Sequence, residues 1–203
     1  MTDTTTTGIL LPEPAAVGAR AAEILAAVRG GELYPRLERS ARKYVDCWAT
    51  FTGYPTVSQW DLDTDTEPLF HDAVKVLCLK AAVYELSGGD EEAAELLVSA
   101  PVDEMVHAII AQFTLMTQLQ QQLGVVFPHM TEMERFDYER GGYTDQIWVA
   151  AGFEEQNRRY WIDSPEIQRR LGVLNQRYGQ AGIGRDGRRH DIDFDTDPVS
   201  ATG

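Results

Sequence analysis

The segment covering residues 67–89 constrains the fold of this chain more than any other. It reads EPLFHDAVKVLCLKAAVYELSGG, and its apolar residues recur at the i, i+3, i+4 and i+7 positions of a helix. Further apolar side chains, at Val76, Leu79 and Val83, lie outside that stripe, which predicts a helix covered on several sides. Pro68 suits a first helical turn, and the Gly-Gly pair suits the end. We therefore expect this helix at the centre of an all-α bundle.

The same periodicity recurs on both sides of this segment and predicts a single-domain bundle of about six helices. We expect a helical domain over residues 13–179, between a disordered tail at 1–12 and a disordered acidic tail at 180–203. We also predict the local structure of four individual segments. They are an irregular acidic loop at 56–66, one helix at 90–100, one helix at 101–123 and a brief extended piece or strand at 125–127.

Length and charge narrow the function classes. A chain of 203 residues, 43% of them hydrophobic, is long enough to bury a substantial core. It carries 32 acidic and 18 basic residues, a formal net charge of −14, which argues against nucleic acid and anionic membranes as partners. No apolar run approaches the roughly 18 residues that a membrane span requires. The sequence therefore reads as that of a cytoplasmic protein.

Cysteines and large aromatic residues both suit the interior of such a bundle. Cys47 and Cys78 lie in apolar helical contexts, outside any C-x-x-C spacing, so we read them as small buried hydrophobes. Aromatic side chains such as Tyr138, Trp148 and Trp161 could line a pocket, but in a helical bundle such residues more often belong to the core.

The stretch SAPVDEMVHAIIAQ combines acids and a histidine with an apolar stripe. At about 100° per residue, His107 points away from that stripe, and Asp103 and Glu104 lie on the same side as His107. This pattern is typical of a solvated helix face. It also contains Glu-x-x-His, the spacing with which carboxylate metal proteins of the four-helix type present two ligands from one helix. A second Glu-x-x-His does not occur in the sequence.

Another histidine could complete such a site. His129 follows the helix in the segment FPHM, where a loop can hold a ligand against a rigid scaffold. The candidate binding or metal residues are therefore Asp103, Glu104, His107 and His129, and the candidate cofactor is a divalent metal ion. No serine or cysteine lies in a recognisable nucleophile elbow, and no phosphate-binding glycine motif is present.

Several of these residues also carry a resemblance to a known family. The stretches SAPVDEMVHAIIAQ, LGVVFPHMTE and YERGGYTDQIWVAAGF resemble the uncharacterised glycine-rich-domain-containing-protein-like family of bacteria and plants, of which this chain would be a divergent member. Family positions expected to be Trp, His and His hold Val106, Ile109 and Pro128. The resemblance implies a helical fold and nominates two histidines, without naming a reaction. The matching positions are Val102, Asp103, His107, Phe127, His129, Tyr138, Thr144, Phe153 and Trp161.

Two functional readings follow. In the first, the chain is a helical binding or accessory protein that engages a protein partner or holds a small apolar ligand in an aromatic-lined pocket. In the second, it is a small metal-dependent hydrolase or oxygenase that uses Glu104, His107 and His129, joined by Asp103. The sequence favours the first, because the ligand set is incomplete and His107 faces away from the predicted core. Whether the chain forms a homo-oligomer is left open.

Overall fold

A computed structural model describes residues 10–44, 56–130, 137–179, 190 and 192–195. Within these ranges the chain is all-helical, as predicted, with eight α-helices and no strand. The helices are α1 (Pro14–Gly30), α2 (Tyr34–Ala41), α3 (Leu62–Leu86), α4 (Glu91–Ala94), α5 (Ala100–Ile110), α6 (Phe113–Leu123), α7 (Tyr143–Ala150) and α8 (Ser164–Gly179).

The central helix is α3, as the apolar pattern predicted, but it begins earlier than expected. Asp61 is its N-cap, and the Asp61 carboxylate accepts hydrogen bonds from two backbone N–H groups of the first turn at 2.8 and 3.3 Å. This cap satisfies donors that a helix start leaves without partners. The prediction of an irregular loop over 56–66 was therefore wrong for its last five residues, and Pro68 lies inside the helix instead of in its first turn.

Two further helix boundaries differ from the predictions. The single helix expected at 101–123 is broken at Gln112, whose φ of −78° and ψ of 50° lie outside the helical region. The helix expected at 90–100 is only α4, after which residues 95–99 are non-helical. Residues 125–127, expected to be a brief extended piece or strand within an irregular connection, lie in irregular backbone and form no strand. Of these differences, only the break at Gln112 adds a helix to the number within the described residues.

The core lies where α3 packs against α1 and α5, and α1 packs against α7. The aromatic residues Tyr138, Trp148 and Trp161 are buried in the core, as predicted: Trp161 meets Trp148 at a ring-centroid distance of 4.9 Å and Tyr138 at 5.3 Å. Cys78 is buried and has no disulfide partner, as expected, whereas Cys47 lies outside the described residues. None of the described helices is both long and apolar enough to cross a membrane.

A second, smaller apolar cluster surrounds α8. It contains Ile167, Leu171 and Leu174 from the helix together with Ile192 and Phe194 from the C-terminal segment. These last two residues fall in the stretch expected to be a disordered tail, yet both are buried. Most of the predicted tails lie outside the described residues.

Gly18 permits the close approach of α1 to α7. A Cβ at this position would lie 2.4 Å from the carbonyl carbon of Ala150. We expect Gly18→Ala to lower the free energy of unfolding by about 1–3 kcal/mol because backbone must move to make room. Gly172, inside α8, has nothing within 4 Å of such a Cβ, so Gly172→Ala should raise stability by about 0.5–1 kcal/mol. Urea unfolding of both variants measures the contrast, and equal shifts of the same sign would contradict it.

Candidate metal centre

The first half of the site is one face of α5. Asp103 and Glu104 precede His107 by four and three residues, so all three side chains share one side of the helix. The start of α5 is fixed by Ser99, whose hydroxyl donates to the carbonyl oxygen of Tyr160 at 2.7 Å. The Ser99 hydroxyl oxygen in turn accepts from the backbone N–H of Ile162 at 2.8 Å. The Ser99 hydroxyl makes no capping hydrogen bond to α5 and instead joins this helix to the segment before α8.

The second half is the irregular segment after α6. Gly124 ends that helix in the left-handed region, with a φ of 64°. The segment is then held at two points: the backbone N–H of Phe127 donates to the Gln120 side-chain oxygen at 2.9 Å, and that of Met130 donates to a Glu95 carboxylate oxygen at 3.1 Å. His129 lies between these two contacts and is thereby placed against α5.

The two histidines meet edge to face, with ring centroids 4.7 Å apart and planes at 70°. One ligand atom each from Asp103, His107 and His129 can be chosen so that all three lie within 4.8 Å of one another. His107 Nδ1 lies 3.8 Å from an Asp103 oxygen and 3.9 Å from Glu104 Oε2. Of the four residues nominated by the sequence, three therefore form one cluster, and Glu104 lies beside it.

This face of α5 is covered, whereas the sequence predicted a solvated surface. The Glu104 side chain is 6% exposed and that of His107 is 21% exposed. Asp103 lies nearest to solvent, with 28% of its side chain exposed. The helical wheel located the face correctly relative to the apolar stripe, but it contained no information about the segment around His129 that packs on this face.

Lys80 is a site residue that sequence reasoning missed. Its side chain, on the central helix α3, has no exposed surface, and Nζ lies 2.8 Å from Glu95 Oε1 and 3.2 Å from His129 Nδ1. An ammonium group can only donate, so Nδ1 of His129 accepts this hydrogen bond. The one available signal was a lysine within the otherwise apolar run KVLCLKAAV, since a buried lysine requires a partner.

The environment shifts the pKa values of the three clustered residues in different directions. Desolvation, reinforced by the charges of Lys80 and His107, lowers the pKa of His129 to about 3. Desolvation also opposes the charged form of His107, but the carboxylates of Glu104 and Asp103 outweigh it and raise the pKa. Partial desolvation raises the pKa of Asp103, against the opposing charges of His107 and Lys80. His129 is therefore neutral at physiological pH, which is the form that binds metal ions.

Comparison of the chain with protein-family models, with curated proteins and with solved structures yields no match.

Proposed function

We propose that this protein binds a divalent transition-metal ion through Asp103, His107 and His129 and uses the ion to activate water in a hydrolytic reaction. The observation that carries the proposal is the convergence of two imidazole nitrogens and one carboxylate oxygen within 4.8 Å of one another. Two histidines and a carboxylate are a ligand set suited to zinc or iron(II). The contributing residues come from α5 and from a separate segment, so the cluster is a product of the tertiary fold.

One pair of atoms in the cluster is close to the separation that a bound ion requires. Tetrahedral zinc bonds of about 2.0–2.1 Å place ligand atoms about 3.3 Å apart. The observed 3.8 Å between His107 Nδ1 and the Asp103 oxygen therefore needs only a small side-chain rotation. His129 Nε2 is buried and has no hydrogen-bond partner within the described residues. Binding of an ion at Nε2 would give this buried atom a partner; the ring proton would move to Nδ1, so that the ring stays a neutral imidazole and Lys80 keeps its bond to Glu95.

The charge balance also favours a cation. Three carboxylates, those of Asp103, Glu104 and Glu95, lie at the site with Lys80 and His107, so negative groups outnumber positive ones by two when His107 is neutral and by one when it is protonated. Burying such an excess is costly unless it is compensated. A divalent ion supplies the missing charge.

Three protein ligands leave a coordination position for water, and a bound ion would polarise that water toward attack. The chain's own groups would orient the reaction. Lys80, which is itself bonded to Glu95, contacts the ring of His129 at Nδ1 and so helps to fix the position of that ring beside α5. Glu104, whose side chain is only 6% exposed, places a carboxylate next to the ligands, where it can accept a proton.

Metal analysis of protein purified without an affinity tag, followed by zinc titration of the metal-free form, tests the proposal. We expect about one ion per chain. Because each ligand contributes strongly to affinity, Asp103→Ala, His107→Ala and His129→Ala should each weaken zinc binding at least about a hundredfold. Cobalt(II) substitution adds a readout of coordination number, since its visible spectrum responds to geometry.

His71→Ala is the matched control, because His71 contacts the hydroxyl of Tyr34 at 3.1 Å and is not part of the cluster. It should retain the zinc affinity of the wild type, and circular dichroism should show all four variants folded. Absence of metal from the wild type together with zinc binding no tighter than in His129→Ala would overturn the proposal.

A second candidate function is the binding or accessory role, with a small apolar ligand. It is favoured by a cavity of about 460 Å³ beside α4, a size suited to small molecules. Glu95 belongs both to the wall of this cavity and to the contacts of Lys80. If the wild type binds no metal ion, the binding of a small apolar ligand becomes the favoured function. The apolar part of the wall consists of Leu11, Ala93, Leu96, Leu97 and Tyr143.

A further inference from the structure

A cavity of about 710 Å³ lies between the start of α8 and the C-terminal segment. We propose that it binds a small organic molecule bearing clustered oxyanions, of the phosphate or polycarboxylate type. This site is separate from the candidate metal centre and shares no residue with it. Its wall contains five arginines, namely Arg140, Arg158, Arg159, Arg169 and Arg170.

This concentration of cations contrasts with the rest of the molecule. The chain carries a net charge of −14, yet five of its 18 basic residues line this one cavity. Only three acids, Asp163, Glu166 and Asp195, belong to the same wall. Because like charges repel, arginines gathered in this way are stabilised by an anion placed among them.

Backbone carbonyl oxygens, which do not neutralise charge, hold several of the guanidinium groups in place alongside their carboxylate partners. Four of the arginines each donate a hydrogen bond to a backbone carbonyl oxygen, which fixes the side chain but leaves its charge. Donors already fixed in this way bind an anion at a smaller entropic cost. The bonds run from Arg140 to Trp161 (2.9 Å), Arg159 to Gln59 (3.1 Å), Arg169 to Phe194 (3.0 Å) and Arg170 to Thr56 (2.6 Å).

The carboxylate partners neutralise only part of this charge. Glu166 is shared, at 2.7 Å from Arg169 and 2.6 Å from Arg170. Arg140 lies 3.7 Å from Asp163, too far for a strong hydrogen bond. Arg158 is exposed and makes no ion pair within the described residues. Arg159 is the best compensated of the five, through its paired bonds to Asp65 at 2.8 and 2.9 Å.

The shape of the cavity indicates the class of ligand. Planar guanidinium groups bind the oxygen atoms of phosphate and carboxylate in pairs, which gives both affinity and orientation. A volume of about 710 Å³ exceeds what a single inorganic anion fills and suits a small organic molecule. Ile162 and Phe194 supply an apolar side to the wall. A nucleic-acid polymer is disfavoured, because the chain as a whole carries a net charge of −14.

Isothermal titration calorimetry with two probes, inorganic pyrophosphate and citrate, tests the proposal and distinguishes phosphate from carboxylate ligands. We expect saturable one-to-one binding of at least one probe at about 0.15 M salt, where weak surface attraction is screened. Arg140→Gln and Arg158→Gln should each weaken it about tenfold, through loss of a charge-assisted hydrogen bond. Arg36→Gln is the control, since Arg36 is an exposed residue of α2 and its loss changes the net charge equally.

Both probes also chelate metals, so the titration is repeated on metal-free His129→Ala protein. Unchanged affinity there assigns the binding to the arginine cavity and keeps this result independent of the proposed metal function. Two results would overturn the inference. One is the absence of saturable binding by both probes at about 1 mM; the other is an equal loss of affinity in Arg36→Gln and Arg140→Gln.

Discussion

Replacing Asp65 by asparagine is expected to lower the free energy of unfolding by about 3 kcal/mol. The Asp65 side chain is 4% exposed and receives four hydrogen bonds. Two come from the guanidinium of Arg159, one from the hydroxyl of Tyr160 at 2.6 Å, and one from the backbone N–H of Asp61 at 2.8 Å. An amide carries no charge and offers one acceptor oxygen in place of two, so several of these donors lose their partner.

Asp63→Asn is the matched control for this prediction. Asp63 lies in the same first turn of α3 and carries the same charge, but its side chain is exposed. Its loss removes only a favourable interaction with the helix dipole, about 0.3–1 kcal/mol. Urea unfolding at neutral pH measures both variants, and similar losses for the two would contradict a special role for Asp65.

The pH dependence of the Asp65 contribution has a defined sign. Burial opposes ionisation of this carboxyl, but the hydrogen bonds from Arg159, Asp61 and Tyr160 outweigh it and hold the pKa below its ordinary value. The folded state therefore binds fewer protons than the unfolded state. The stabilisation is complete above the unfolded pKa of about 3.9 and is lost as the pH falls through the folded pKa. The stability difference between wild type and Asp65→Asn should accordingly be constant near neutrality and shrink below about pH 4.

The second large effect is expected from Lys80→Met, which should also cost about 3 kcal/mol. Methionine fills a similar volume but removes the cation that binds Glu95 at 2.8 Å. The Glu95 side chain is 15% exposed, so its carboxylate cannot regain full hydration. The same substitution removes the hydrogen bond to His129 Nδ1. Unfolding experiments on metal-free protein keep this effect apart from any contribution of a bound ion.

Two further variants serve as controls for the Lys80 prediction. Lys43→Met changes the same residue type at an exposed position and should alter stability by less than about 0.5 kcal/mol. Because the cost arises from a carboxylate left without its cation, the double variant Lys80→Met, Glu95→Gln should lose less than the sum of the single losses. Strict additivity would mean that the two side chains do not stabilise each other.

Much of the fold followed from local patterns that the sequence displays. The apolar run around Val76 and Leu79 predicted a buried central helix, and α3 is that helix. The positions at which helices begin and end were harder to predict. The start at Asp61 depends on a cap within an acidic stretch that resembled a loop, and the break at Gln112 carries no glycine or proline to mark it. Interactions with the rest of the protein decide such positions more than intrinsic propensity does.

The candidate site was likewise predictable only in part from the sequence. The spacing of Asp103, Glu104 and His107 on one helix followed from the sequence, and His129 was nominated on its own. Their distances from one another were not predictable, because the sequence does not say which face of α5 the segment after α6 will cover. The choice of Asp103 over Glu104 as the third ligand also depends on where the ring of His129 lies.

The sequence by itself determined the helical class, the central position of α3 and the residues that share a face of α5, because each of these depends on periodicity within a short stretch. The tertiary structure decided which residues from distant stretches meet. In the folded protein His129 packs against His107, and Lys80 contacts the ring of His129. Five arginines from separate parts of the chain line one cavity. The physical reason is that burial and charge pairing act between elements, and the energy that fixes them appears only when the elements pack together.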